Sequence, residues 1–170
     1  AVLTAMALGI FMLEAQLPSI VPIPGIKLGL ANIITLTTML ILGRREAGAV
    51  LLMRILLGAA FAGSPATLIY SAAGGLLAYA CMCALTLFIP EKRLWVTSAL
   101  SALAHNAGQL LACALIVQTP GVLAYAPALA VSGIITGVFT GVAAMYLVRD
   151  VRKMKLYARL APLTILPKRI

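Results

Sequence analysis

Acidic side chains are scarce in this chain: 170 residues carry only Glu14, Glu46, Glu91 and Asp150. No aspartate pair exists to hold magnesium against a diphosphate. Histidine is scarcer still, and His105 standing alone excludes a multi-histidine metal site within one chain. The three cysteines, Cys81, Cys83 and Cys113, all lie inside apolar runs. Cys81-Met82-Cys83 has neither the spacing nor the nearby histidines of a zinc site, so the three read as small buried hydrophobes. No P-loop, dinucleotide fingerprint or metalloprotease motif occurs. The expectation is a chain without cofactor, metal or catalytic residues, and hence not an enzyme.

Charge of either sign makes up 10% of the residues, too little to cover a soluble domain of this size. What is present is apolar: 63% hydrophobic residues and a mean hydropathy of +1.10. Hydrocarbon is the solvent that such a surface requires. The apolar runs predict an all-α, polytopic membrane helix bundle of six transmembrane helices, at about 1–16, 28–42, 47–62, 66–88, 94–117 and 122–148. Residues 1–148 form the bundle and 149–170 a basic amphipathic tail, suited to a helix lying on the membrane surface. The run at 28–42 is short for a crossing of about 30 Å, and either spans with help from the segment before it or re-enters. Pro18, Pro22, Pro24 and Gly25 break the chain ahead of it. Ser64-Pro65 and Thr119-Pro120 read as helix starts, each a hydroxyl cap followed by proline.

The net charge is +9. Basic residues interleaved with aromatics, as a nucleic-acid surface needs, are not visible, and orientation in a membrane accounts for the charge instead. Arg44, Arg45, Lys92, Arg93, Arg149, Arg152, Lys153, Lys155, Arg159, Lys168 and Arg169 all fall on one side of a six-span arrangement. That side is then cytoplasmic, with both termini there, in the plasma (inner) membrane of the cell. If residues 28–42 re-enter, only the N-terminus changes side.

Polar residues inside the apolar runs carry the functional signal, because charge in a bilayer is expensive and faces a partner or a wet cavity. They are Glu14, Asn32, Arg54, His105, Asn106 and Gln109, with Lys27 beside the second run. One reading pairs Glu14 with Arg54 and spends His105, Asn106 and Gln109 on interhelical hydrogen bonds. The other has these residues line a ligand pocket open to the outside. There the positive ends of three helices, with Lys27 and Arg54, favour an anionic or polarised small molecule. Small residues recur every fourth position at Ala1, Ala5 and Gly9, and again at Gly133, Gly137 and Gly141. Such stripes let helices approach closely, within this chain or against a separate membrane subunit.

The segment Pro22-Ile23-Pro24-Gly25-Ile26-Lys27-Leu28-Gly29-Leu30-Ala31-Asn32-Ile33 resembles small bacterial membrane proteins of the Gx transporter family, also described as heptaprenyl diphosphate synthase component I. The resemblance covers nearly the whole chain. That family is similar to the substrate-binding S components of energy-coupling-factor (ECF) transporters. The resemblance implies six helices, a lid at residues 17–29, and docking of the Ala1, Ala5 and Gly9 stripe on a transmembrane coupling subunit served by ATPases. The aspartate-rich motifs of prenyl synthases do not occur here, so the synthase description implies at most a membrane accessory to prenyl-chain or quinone synthesis. Three readings stand: a substrate-binding uptake subunit energised by partners, a non-catalytic accessory of polyprenyl diphosphate synthesis, and a structural or channel-like bundle.

Overall fold

Among the described residues, apolar periodicity without strand-like alternation is realised in a computed structural model as six α-helices and no strand. The structure describes residues 1–16 and 27–154. The helices are α1 (Val2–Glu14), α2 (Asn32–Ile41), α3 (Arg44–Ala62), α4 (Pro65–Phe88), α5 (Leu94–Val117) and α6 (Ala126–Lys153). Short 3-10 turns, Glu91–Arg93 and Pro120–Tyr125, precede α5 and α6. Helices α4, α5 and α6 are long and apolar enough to cross a membrane.

The partition of side chains is inverted relative to a water-soluble protein. Phe88, Leu115 and Phe139 are 82%, 79% and 68% exposed, whereas Arg54 and His105 are each 2% exposed. Hydrocarbon outside and polar groups inside is the arrangement that lowers the free energy of a membrane protein.

Two expectations about helix starts are modified. Pro65 does open α4, but Ser64 makes no side-chain capping bond. Thr119 opens the 3-10 turn instead of α6, and its hydroxyl donates to the Val117 carbonyl at 3.1 Å. The rigid φ of proline sets the start in both cases, without the hydroxyl. The helix expected over 28–42 is shortened to ten residues, about 15 Å, because Gly29 at φ +82° turns the chain before it. Helix α6 runs on to Lys153, and the rest of the expected surface helix lies outside the described residues, as does residue range 17–26 of the expected lid.

Helix α5 packs between α4 and α6, α3 packs on α4, and α2 joins α3 to α6. These contacts close a ring of five helices, with α1 laid against α3 and α2. Close approach along α5 and α6 depends on the glycine stripe of α6. A Cβ on Gly137 would stand 2.5 Å from the Ala99 Cα, and one on Gly141 2.5 Å from the Trp95 Cα. That stripe therefore serves packing within the chain. Ala1, Ala5 and Gly9 are exposed, and a Cβ on Gly9 would meet nothing within 4 Å.

Apolar side chains pack at both ends of the long helices, with Tyr70, Leu110, Cys113, Val122 and Leu129 clustered where α4 begins and α5 ends. Where α3 begins and α2 ends, Leu36, Met39, Ala47, Met82, Leu94 and Ala144 form one apolar cluster to which all five ring helices contribute. Toward the middle, the interior becomes polar.

Candidate functional site

Glu14 ends α1 and is 5% exposed. Its carboxylate accepts hydrogen bonds from the Gly29 amide at 2.6 Å and the Leu30 amide at 3.1 Å. These amides lead into the N-terminus of α2, where a negative charge is favoured. The expected Glu14–Arg54 ion pair is thereby replaced: the nearer amide donors take the carboxylate, and Arg54 keeps Nε and Nη2 without a hydrogen-bond partner.

Lys27 is tied down twice. Its backbone amide donates to Gln109 Oε1 at 3.3 Å, and its Nζ donates to the Phe11 carbonyl at 3.3 Å. The same Nζ stands 3.2 Å from the centroid of the Phe11 ring, and the Arg54 guanidinium carbon lies 5.7 Å from it on the same ring. The ring face attracts both cations and holds them near one another. Burial pulls the Lys27 ammonium below the ordinary lysine range. Glu14 opposes this shift, and Arg54 adds to it.

His105 is the twelfth residue of the 24-residue α5 and stands at its middle. A Cβ on Gly29 would meet the His105 ring at 3.0 Å and Asn32 Nδ2 at 3.0 Å, so Gly29, Asn32 and His105 are neighbours. From the other side, a Cβ on Gly74 would meet the Gln109 Cγ at 2.7 Å and the His105 carbonyl at 2.9 Å. Gly75 brings α4 close to Arg54 Nη2, 3.3 Å from where its Cβ would be. Nδ2 of Asn32 is buried without a hydrogen-bond partner, and the buried His105 ring stands against the Gly74 backbone with no well-formed hydrogen bond at either nitrogen.

Six of the seven residues expected at the site therefore converge: Glu14, Lys27, Asn32, Arg54, His105 and Gln109. Asn106 does not join them. Its Nδ2 donates to the Leu129 carbonyl at 2.7 Å, which turns it toward α6. It lines a separate, mostly apolar recess of about 290 Å³ with Leu103, Ala107, Leu110 and Leu129. Adjacent residues on a helix point about 100° apart, so His105 and Asn106 face different neighbours.

Sequence reasoning missed Phe11, Gly74 and Gly75, and placed Gly29 only within the expected lid. Phe11 lies one turn before Glu14 on the same face of α1, and the Gly74-Gly75 pair inside an apolar run is a signal of close helix approach. Chemically, the site offers two basic side chains and one carboxylate already bound to backbone amides. Asn32 and Arg54 have donors to spare, and His105 can donate or accept. This arrangement is suited to holding an anion or a polarised oxygen. Among the described residues no group of three metal-ligating side chains occurs.

A family model described as heptaprenyl diphosphate synthase component I matches residues 3–147. Neither the curated proteins nor the solved structures contain a match.

Proposed function

The chain belongs to the heptaprenyl diphosphate synthase component I family, and we propose that it is a non-enzymatic, multi-pass subunit that binds a small anionic or polar molecule for uptake. The basic ends of its helices lie at the cytoplasmic face by the positive-inside rule. The buried polar cluster, set between α1, the 27–31 connection, α4 and α5, then lies on the outer side of the apolar cluster of Leu36, Met39 and Ala47. The chain has no ATP-binding motif, so uptake is energised by partner subunits, as in the ECF transporters whose S components the family resembles.

One observation carries this reading. Arg54, Asn32 and His105 are buried within an apolar exterior and retain unpartnered hydrogen-bonding atoms. A buried polar atom without a partner costs about 1–3 kcal/mol. Groups that serve only packing find partners within the chain, whereas groups that serve a ligand leave these positions for it.

Native mass spectrometry of gently solubilised protein tests the reading. The wild type is expected to retain a low-mass anionic or polar molecule. Arg54→Ala and Lys27→Ala each remove a charge-assisted contact of about 1.5–3 kcal/mol, which is roughly 10- to 100-fold in affinity. Retention equal to wild type in both variants refutes the assignment.

A second reading is favoured by the family description. As a component of heptaprenyl diphosphate synthesis, the chain is a membrane accessory that holds a soluble synthase close to its lipid-soluble product. The same buried cluster then takes a diphosphate or a quinone precursor.

A further inference from the structure

Serine and threonine in a helix ordinarily return their hydroxyl to a carbonyl three or four residues earlier. This chain does so repeatedly. Thr38 donates to the Ile34 carbonyl at 2.6 Å, Thr86 to Met82 at 2.8 Å, Thr136 to Ser132 at 2.8 Å and Thr140 to Gly137 at 3.1 Å. Thr35, Thr97 and Ser101 do not. Each is at most 1% exposed, and none of the three hydroxyls has a hydrogen-bond partner. The local bond is within reach of any helical serine or threonine, and none of these three makes it.

Their positions form a pattern. Thr97, Ser101 and His105 recur every fourth residue of α5 and share one face. Thr35 lies one turn beyond Asn32 on α2 and adjoins Leu36 of the apolar cluster. Thr97 lies one turn beyond Leu94 of the same cluster. The three hydroxyls therefore occupy the interval between the charged cluster and the apolar floor of the ring. Thr37, also unpartnered, lies on a different side of α2 and does not belong to the series.

We propose that the binding site continues beneath His105 as a second, uncharged subsite formed by Thr35, Ser101 and Thr97. The ligand is then an elongated molecule whose anionic end meets Arg54 and Lys27 and whose uncharged body carries hydrogen-bonding groups. The apolar cluster of Leu36, Met39, Ala47, Met82, Leu94 and Ala144 closes the subsite below. This inference rests on the ligand-binding reading above and specifies the kind of molecule that fits it.

The test is cysteine accessibility in proteoliposomes. In a background carrying Cys81→Ala, Cys83→Ala and Cys113→Ala, single cysteines are placed by Asn32→Cys, Ser101→Cys, Thr97→Cys and Thr140→Cys. Each variant is treated with the anionic reagent 2-sulfonatoethyl methanethiosulfonate, and modification is read as an intact-mass shift. Cysteines at 32, 101 and 97 are expected to react at least about tenfold faster than the control at 140, which is no less exposed than they are, since reactivity follows access to the site. Reaction at 32 with 101 and 97 as slow as 140 overturns the subsite and leaves the outer site standing. No reaction at any of the three overturns both.

Thr97→Val and Ser101→Ala provide a second measurement that does not depend on the cysteine variants folding. Removal of a hydroxyl that bonds nothing in the protein leaves the thermal midpoint of the solubilised protein unchanged or raises it. A fall of several degrees in either variant reveals a structural hydrogen bond and overturns the proposal.

Discussion

At Gly29 two constraints coincide. The backbone adopts φ +82°, which side-chain-bearing residues rarely enter, and a Cβ there would press on Asn32 and on the His105 ring at 3.0 Å. Gly29 also presents its amide to Glu14. Gly29→Ala is expected to lower stability by about 1–3 kcal/mol, the usual cost of a strained positive-φ residue. Thermal unfolding of the detergent-solubilised variant measures this. A midpoint equal to wild type would show that the 27–31 segment does not hold this conformation in the membrane protein. At this scale the sequence was partly legible. Lone ionisable groups in apolar runs stand out, so Arg54, His105 and Glu14 were found. The partners of Glu14 were not, because a carboxylate takes the nearest donors, and the Gly29 and Leu30 amides are invisible to a pattern of side chains.

Among the elements, the seam between α5 and α6 and the exposed face of α1 make a controlled contrast. Both carry small residues at four-residue spacing, but only the first is occupied by a neighbouring backbone within this chain. A methyl group at Gly141 would meet the Trp95 Cα at 2.5 Å, and this backbone cannot move without separating the helices. Gly141→Ala is therefore expected to cost about 1–3 kcal/mol through overpacking. Gly9→Ala, with nothing within 4 Å, leaves stability unchanged or slightly higher, given the better helix propensity of alanine. Thermal midpoints of the two variants, compared in the same detergent, decide it. Equal losses would mean that both stripes are buried in one chain. The spacing alone could not separate the two cases, since it records which helix face is small and says nothing of what lies opposite.

For the whole molecule, the partition of side chains leaves a large apolar exterior around an interior in which a polar cluster lies beside apolar ones. Such a molecule works in a bilayer. Affinity purification from native membranes distinguishes the two functional readings. An uptake subunit is expected to elute with a transmembrane coupling subunit and ATPases. Elution with a soluble prenyl synthase and no ATPase would overturn the uptake reading in favour of the accessory one.

Composition and hydrophobic runs by themselves determined the all-helical class, the membrane setting, the approximate helix positions and the ionisable residues worth testing. These follow from local terms: each apolar run must meet hydrocarbon, and each buried charge must find a polar neighbour. Only the tertiary structure decided that α2 is a half-length helix starting level with the middle of α5, that Asn106 turns to α6 while His105 faces the site, and that Glu14 binds backbone amides instead of Arg54. Each of these outcomes is a choice among partners distant in sequence. Side-chain type limits that choice, and the packing of five helices around one interior makes it.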